Sequence, residues 1–295
     1  MHAVHVNNLR ISITQRCNMR CIYCHHEGES GSNGDEISAA KFEQALRIAM
    51  DLGIKKLKIT GGEPLMRRDA VAIVGIASGY MNDVSMTTNG SLLPLYASAL
   101  RESGLDRINI SLDSLRSERY RAITLGRLDM VMSGIRSAIE AGIRPIKLNT
   151  VMLRGVNDDE VWNLAEFARD NNCVLQLIEL EAGRDQESTD FYRRYHYDLR
   201  ELEKDLERRA EKTEVRSMHH RRKYFVDGAE IEIVRPMHNS EFCANCTRLR
   251  MTSVGRLKPC LLNNEELNVP ENEQEARNVF VKAIERKKPY WDEEK

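Results

Sequence analysis

Three cysteines near the start of the chain have a spacing suited to a metal centre. Cys17, Cys21 and Cys24 are separated by three and then two residues. A structural zinc site takes four closed ligands, for which His25 or His26 is the available fourth. In a [4Fe-4S] cluster, three cysteines hold three irons and leave the fourth iron to a small ligand, an arrangement suited to chemistry. The sequence therefore predicts a metal site in this loop.

A second group of cysteines lies near the other end of the chain. Cys243, Cys246 and Cys260 are separated by two and thirteen residues, and His238 is the nearest candidate for a fourth zinc ligand. The seventh cysteine, Cys173, stands alone, and we predict that it packs at the start of a strand. Two tight groups, an odd total and no secretory signal favour reduced thiols that bind metal over a disulfide framework.

Two arginines follow the second cysteine group directly. In an extended segment Arg248 and Arg250 point the same way, and such guanidinium groups suit bidentate phosphate binding. The alternative is a charged strand exposed to solvent.

A glycine pair and two polar segments come directly after predicted strands. In Gly61-Gly62-Glu63-Pro64 the glycines allow close backbone approach to a ligand, and the glutamate is an anionic acceptor. Thr87 to Gly90 and Ser111 to Asp113 follow later strands. Alone, these two segments are typical of ordinary turns or caps.

Short β-branched runs alternate with helical runs from residue 8 to about 180, which predicts an α/β domain with a parallel sheet. The predicted strands are 9–14, 56–60, 84–87, 107–113, 145–153 and 174–180. Six strand-helix units are too few for a closed eight-unit barrel, so we expect an open barrel or curved sheet. Ser38 and Gly53 are predicted helix caps.

Polar and apolar residues alternate along these strands. Ile11 and Ile13 share one face of the first strand, while Arg10 shares the other with Ser12 and Thr14, and later strands repeat the split. If the apolar faces meet the helices, the inner face forms a polar cavity that accepts anions. The alternative is a solvated sheet face.

Composition excludes several classes of protein. The chain has 295 residues, 41% hydrophobic and 30% charged, so it can bury a large core. A formal net charge of -1 argues against a nucleic-acid binder with a basic surface. The longest uncharged apolar run, 70–81, is shorter than the roughly 20 residues that a membrane span needs. We expect a cytoplasmic protein with no membrane partner.

The charged, helix-prone stretch 191–212, a hairpin centred on Asp227-Gly228 and a helix over 273–287 indicate a second, smaller unit. The predicted division is 1–185 for the first unit and 186–295 for a C-terminal extension.

The motifs together resemble a known enzyme family. The segment from Cys17 to Cys24, with Tyr23 before the last cysteine, resembles the signature of radical S-adenosylmethionine (SAM) enzymes. The second group, followed by Arg248 and Arg250, makes the chain similar to the GTP 3',8-cyclases of molybdenum cofactor biosynthesis. That resemblance runs from Arg10 to about Leu262. It implies an incomplete (β/α)6 barrel whose C-terminal extension carries a second iron-sulfur cluster.

The resemblance also implies cofactors, a reaction and site residues. The cofactors are two [4Fe-4S] clusters, one on each cysteine group, and SAM. A 5'-deoxyadenosyl radical removes the ribose 3' hydrogen of GTP, the C3' radical bonds to C8, and reduction of this adduct gives (8S)-3',8-cyclo-7,8-dihydroguanosine 5'-triphosphate. The residues implied to contact SAM are Tyr23, Gly62, Glu63 and Ser111. Those implied to contact GTP are Arg10, Lys58, Thr87, Lys147, Arg248 and Arg250, of which Arg248 and Arg250 are also implied to be catalytic.

The same resemblance implies further partners: an electron donor, a downstream cyclic pyranopterin monophosphate synthase and a second copy of the chain in a homodimer.

This sequence departs from the family pattern at several positions. Gln176 stands where arginine is common, Glu181 where a SAM-contacting methionine is common, and Lys58 where arginine is common. The chain ends without the Gly-Gly tail of many members. Two other readings remain open: a radical SAM enzyme acting on a peptide or another nucleotide, and a non-enzymatic zinc protein.

Overall fold

The computed structural model describes residues 6–29 and 35–292. The ending of the chain, where the Gly-Gly tail of many family members would lie, is partly outside these ranges.

The first part of the chain alternates strands with helices, as predicted. The strands are β1 (Asn8–Ser12), β2 (Lys56–Thr60), β3 (Asp83–Thr88), β4 (Arg107–Ser111), β5 (Ile146–Met152) and β6 (Val174–Glu179). The helices are α1 (Ala39–Asp51), α2 (Ala70–Tyr80), α3 (Leu93–Glu102), α4 (Ser117–Thr124), α5 (Leu128–Glu140) and α6 (Val161–Asp170). Neighbouring strands from β1 to β6 pair in parallel. All six predicted strands are confirmed, with differences only at their ends.

In the described residues, the second part contains four α-helices, a hairpin and strands that return to the sheet. Its helices are α7 (Asp190–Tyr195), α8 (Arg200–Arg209), α9 (Ser240–Ala244) and α10 (Glu273–Glu285). Its strands are β7 (Lys212–Val215), β8 (Arg222–Val226), β9 (Ala229–Val234), β10 (Arg248–Met251), β11 (Arg256–Lys258) and β12 (Leu267–Asn268). The predicted hairpin is confirmed: Asp227 and Gly228 both have positive φ, at 50° and 78°, and join β8 to β9.

Within the described residues the strands form one sheet in the order β12-β11-β10-β1-β2-β3-β4-β5-β6-β9-β8-β7. The order is linear, so the sheet is open. The extension adds a parallel strand at each side of the first six, with β10 beside β1 and β9 beside β6. The predicted α/β fold with a C-terminal extension is confirmed.

The helices cover the apolar faces of the strands. Ile11, Leu57 and Ile110 are fully buried together with the apolar faces of the helices. The hydroxyl of Ser38 accepts a hydrogen bond from the Lys41 amide (3.1 Å), which confirms it as the cap of α1. Among the described residues, no helix has the length and apolar character required to cross a membrane.

Candidate active site

The polar strand faces line one cavity of about 370 Å³. This volume lies within the range of small-molecule sites, roughly 300 to 1,000 Å³. Arg10, Lys58, Thr87, Ser111 and Lys147 line it from the strands β1 to β5. The predicted polar cavity is therefore confirmed, and the alternative of a solvated sheet face is wrong.

The cavity has a large excess of positive charge. Of its described lining residues, eleven are lysine or arginine and three are glutamate. Like charges packed into one cavity repel each other, and an anionic ligand would relieve that repulsion.

Arg10 and Arg250 share one buried carboxylate. They are register partners on β1 and β10, and both pair with Glu27, which follows the first cysteine group. The distance from Arg250 Nη1 to Glu27 Oε2 is 3.1 Å. Burial opposes ionisation of Glu27, but the two guanidinium groups outweigh it and hold its pKa at about 2. Glu27 thus fixes both arginines at the cavity wall.

Arg248 has far weaker compensation. Its nearest side-chain acceptor is the Met218 sulfur, 3.6 Å from Nη2. Its Nε is buried and has no hydrogen-bond partner in the described part of the chain. Burial and the nearby charges of Arg10 and Arg250 lower the pKa of Arg248 to about 9. An unpartnered buried guanidinium beside other cations is suited to an incoming anion.

Two more arginines reach the cavity from the extension. Arg216 and Arg221 line it together with Lys147, and all three pair with the fully buried Glu232 of β9. Lys58 donates to Asn109 Oδ1 at 2.7 Å.

The first cysteine group lies on the loop after β1, outside the cavity lining. Cys17 and Cys24 are exposed and Cys21 is half-buried. Burial, and then the charges of Asp113 and the neighbouring cysteines, raise the pKa of Cys21 to about 12. Free thiols this close repel one another as thiolates, so a bound cation centre is needed to hold them ionised.

Tyr23 fixes this loop to the sheet. Its hydroxyl donates to Asp113 Oδ2 at 2.6 Å, and Asp113 Oδ1 accepts from the Val151 amide at 3.1 Å. Tyr23 and Ser111 both line the cavity.

The glycine pair packs against the cysteine loop. A Cβ at Gly61 would lie 2.5 Å from the Thr14 carbonyl oxygen, and one at Gly62 would lie 2.5 Å from that of Gln15. The glycines are thus required by backbone packing, besides the ligand contact predicted for Gly62.

Glu63 is fully buried beside the glycines. Its carboxylate accepts from the Leu65 amide (3.0 Å), the Thr88 hydroxyl (2.7 Å) and the Asn89 amide (2.6 Å). Burial raises its pKa to about 7. In this structure Glu63 ties the glycine loop to the end of β3. Neither Gly62 nor Glu63 is among the described lining residues of the cavity.

The second cysteine group lines the cavity. Cys243 is on α9, Cys246 precedes β10 and Cys260 follows β11. Lys287 Nζ lies 3.3 Å from the Cys246 sulfur. Burial raises the pKa of Cys246, but the charges of Lys287 and Arg248 outweigh it and lower the pKa overall. This thiol is therefore prepared to act as a thiolate ligand.

His238, the nearest candidate for a fourth zinc ligand, pairs with a carboxylate. His238 Nε2 is 2.6 Å from Glu187 Oε2, and its ring packs on Trp291 with centroids 4.2 Å apart. Across the described residues, no three His, Cys, Asp or Glu side chains converge as ligands of a single metal ion.

Cys173 is buried in the main core directly before β6, as predicted. Its sulfur contacts the Asn171 carbonyl oxygen at 3.4 Å, and burial raises its pKa to about 11.

Gln176 and Glu181 also line the cavity. The negative charge of Glu181 acts to raise the pKa of Arg10, so Glu181, which departs from the family pattern, lies near Arg10.

Sequence reasoning missed Glu27, Arg216 and Arg221. Glu27 lies in a loop with no periodic pattern and offered no signal. The predicted hairpin did offer a signal for Arg221. Lys223 is the register partner of Glu232 across the hairpin, and alternation along the strand puts Arg221 on the same face as Lys223.

Comparison with known proteins agrees with this arrangement. Residues 11–168 match the Radical SAM superfamily, and residues 173–293 match Molybdenum Cofactor Synthesis C. A "Probable GTP 3',8-cyclase" of Methanothermobacter thermautotrophicus is 48% identical, covering 98% of this chain and 97% of its own. One from Thermococcus kodakarensis is 46% identical, covering 97% of each chain.

Among solved structures, Streptococcus suis SuiB bound to its precursor peptide SuiA superposes with a TM-score of 0.69 at 18% identity. That match covers 99% of this chain and 66% of SuiB. At this identity the likeness concerns the fold alone.

Proposed function

The chain belongs to the radical SAM superfamily and, within it, to the GTP 3',8-cyclase family, and we propose that it converts GTP to (8S)-3',8-cyclo-7,8-dihydroguanosine 5'-triphosphate. This is the first step of molybdenum cofactor biosynthesis. The observation that carries the proposal is the cationic cavity whose wall also bears Cys243, Cys246 and Cys260.

The cysteine groups fit two [4Fe-4S] clusters. Each group offers three free thiols, and a cluster that takes one thiolate at each of three separate irons keeps its fourth iron open for a small molecule. The first cluster would be held by Cys17, Cys21 and Cys24 and the second by Cys243, Cys246 and Cys260. The first cluster, held by the first three of these thiolates, would supply the electron that cleaves bound SAM into methionine and a 5'-deoxyadenosyl radical.

The SAM site is proposed from Tyr23, Gly62, Glu63 and Ser111. Tyr23 is held in place by Asp113, and Ser111 ends the same strand, β4, that leads to Asp113. Glu63 keeps the glycine loop against the cysteine loop through its three hydrogen bonds. These residues would hold SAM beside the first cysteine group.

GTP is proposed to bind across the cationic wall. Arg10, Lys58, Thr87 and Lys147 contact it from the barrel strands, and Arg248 and Arg250 from β10. Arg248 and Arg250 are the proposed catalytic residues because they line the same cavity as Cys246 and would hold the substrate in the reactive orientation.

The remaining proposals concern the setting of the enzyme. All seven cysteines are free thiols, which is typical of the reducing cytoplasm. We propose an electron donor that reduces the first cluster, a cyclic pyranopterin monophosphate synthase that takes the product, and a homodimer. We also propose that the boundary between the first unit and the C-terminal extension lies between residues 185 and 186.

The decisive test is anaerobic reconstitution with iron and sulfide, followed by GTP, SAM and dithionite. We expect the cyclised GTP, 5'-deoxyadenosine and methionine, identified by mass spectrometry. ATP in place of GTP is the control. 5'-Deoxyadenosine without a cyclised guanosine product from the intact protein would contradict the proposal.

A further inference from the structure

The loop between β7 and β8, residues 216–221, forms one wall of the cavity. Its ends are closed by the Arg216 amide, which donates to the Arg221 carbonyl oxygen at 2.9 Å. In its middle, the His219 amide donates to Asn245 O at 2.9 Å, and the His219 ring stacks on Phe242 at 3.9 Å. The loop is therefore fastened to the segment that carries Cys243 and Cys246.

Three cations of this wall meet a single carboxylate. Arg221 Nη1 lies 3.0 Å from Glu232 Oε1, and Arg216 Nη1 lies 3.6 Å from Oε2, which also pairs with Lys147. One carboxylate neutralises one of the three charges. The wall keeps an excess of two positive charges in a space that the protein largely encloses.

The guanidinium groups also have unused donors. The Nε atoms of Arg216 and Arg221 are buried and lack a hydrogen-bond partner among the residues that the structure describes. A buried N–H donor that makes no hydrogen bond costs free energy of folding. A site of this kind therefore favours a ligand that brings a hydrogen-bond acceptor. Both side chains line the cavity itself.

On β6 and β5, the positions in register with Glu232 carry amides. Gln176 of β6 is the register partner of Glu232 and lines the cavity as a neutral amide, next to Asn149 of β5. The charges of Arg216 and Arg221 add to burial in lowering the pKa of Lys147 to about 8. These cations are thus close enough to repel one another, and a polyanion would relieve that repulsion.

We propose that Arg216 and Arg221, positioned by Glu232, form with Lys147 a subsite for the polyphosphate chain of the nucleotide. Phosphate oxygens take the forked N–H donors of the two arginines, while the Glu232 carboxylate keeps the forks aimed at the cavity. The subsite selects nucleoside triphosphates over nucleosides. It rests on the proposed function, since it takes the ligand to be a nucleotide.

The test measures equilibrium binding of GTP and of guanosine to the holoenzyme, with both clusters reconstituted and no reductant present. For Arg221→Gln we expect GTP affinity to fall roughly 10- to 100-fold with guanosine affinity unchanged, because only the charge-assisted phosphate contacts are lost. Arg216→Gln loses affinity in the same direction, and by less, since its side chain is one-third exposed.

Arg222→Gln is the matched control. Arg222 is the next residue along, is about half exposed and pairs with Glu207 on the surface, so both affinities should stay at the wild-type values. If Arg221→Gln does not fold, Arg221→Gln combined with Glu232→Gln removes the unpaired carboxylate, and Arg216→Gln remains a separate test.

Tripolyphosphate should displace GTP from the wild-type protein. A higher concentration of tripolyphosphate should be needed for the variants that bind GTP more weakly at this wall. Wild-type GTP affinity in both arginine variants, or equal wild-type affinity for GTP and guanosine, overturns the subsite. A different result would contradict the proposed function, namely a wild-type protein that yields no cyclised GTP. Normal cyclisation together with unaffected GTP binding in the variants rejects the subsite alone.

Discussion

Arg248 and Arg250 lie two residues apart on one strand but have different partners. Arg250 pairs with Glu27 at 3.1 Å, whereas Arg248 reaches only the Met218 sulfur at 3.6 Å. A strand pattern predicts that both point one way, but it cannot predict the carboxylate that meets one of them. The protein therefore fixes Arg250 before any ligand binds, whereas Arg248 would gain an acceptor only when the proposed substrate binds.

We expect Arg248→Ala and Arg250→Ala to weaken GTP binding, each by roughly 1.5 to 3 kcal/mol, because each removes a charge-assisted contact in a shielded site. Titration calorimetry on the reconstituted protein measures the effect. Arg256→Ala, at the exposed first position of β11 and paired with Glu266, should leave binding unchanged. Unchanged GTP affinity in both alanine variants would remove these arginines from the substrate site.

Glu63 gives the stability of the protein a pH dependence. Burial raises its pKa from 4.5 to about 7, so between these values the folded protein holds a proton that the unfolded chain has released. Stability therefore falls as pH rises through this window, by roughly 3 kcal/mol. We expect Glu63→Gln to remove this slope in chemical unfolding at pH 5 and pH 7 without SAM. The same slope in both proteins would show that Glu63 keeps an ordinary pKa.

At the scale of elements, alternation along the chain was sufficient for β1 to β6, but it left the polar strand face open between a cavity and a solvated sheet face. It was insufficient for β10, because a four-residue strand reading Arg-Leu-Arg-Met gains its place by pairing with β1, more than 230 residues earlier. The same applies to Glu27 and Glu232. Their partners are distant in sequence, and no local pattern encodes such pairs.

The glycine pair offers a test of how closely two elements must approach. We expect Gly62→Ala to destabilise the fold by roughly 1 to 3 kcal/mol and to lower iron bound at the first cysteine group, because its Cβ would meet the backbone oxygens of Gln15 and Arg16 at 2.5 and 2.6 Å. Iron analysis and thermal unfolding measure both effects.

Gly75→Ala is the control for this substitution. Gly75 lies inside α2 with nothing within 4 Å of an added Cβ, so alanine should stabilise the helix by roughly 0.5 to 1 kcal/mol. Equal behaviour of the two variants would mean that the loop and strand do not need this close approach.

At the scale of the whole molecule, the extension and the barrel build one site between them. The extension adds β10 beside β1 and β9 beside β6, so its arginines enter the cavity from both sides of the barrel strands. The first cysteine group stays outside the cavity lining while the second forms part of it. This arrangement implies separate tasks for the two groups.

Replacing each cysteine group by serine tests that separation. The triple Cys17→Ser, Cys21→Ser, Cys24→Ser variant should yield neither 5'-deoxyadenosine nor cyclised GTP, because SAM cleavage needs an electron delivered at that loop. The triple Cys243→Ser, Cys246→Ser, Cys260→Ser variant should still cleave SAM slowly but form no cyclised GTP, since the substrate loses its anchor beside Arg248. Cys173→Ser, in the core and away from both groups, should keep its iron and both products. Cyclised GTP from the second triple variant would show that this group supports the structure without holding the substrate.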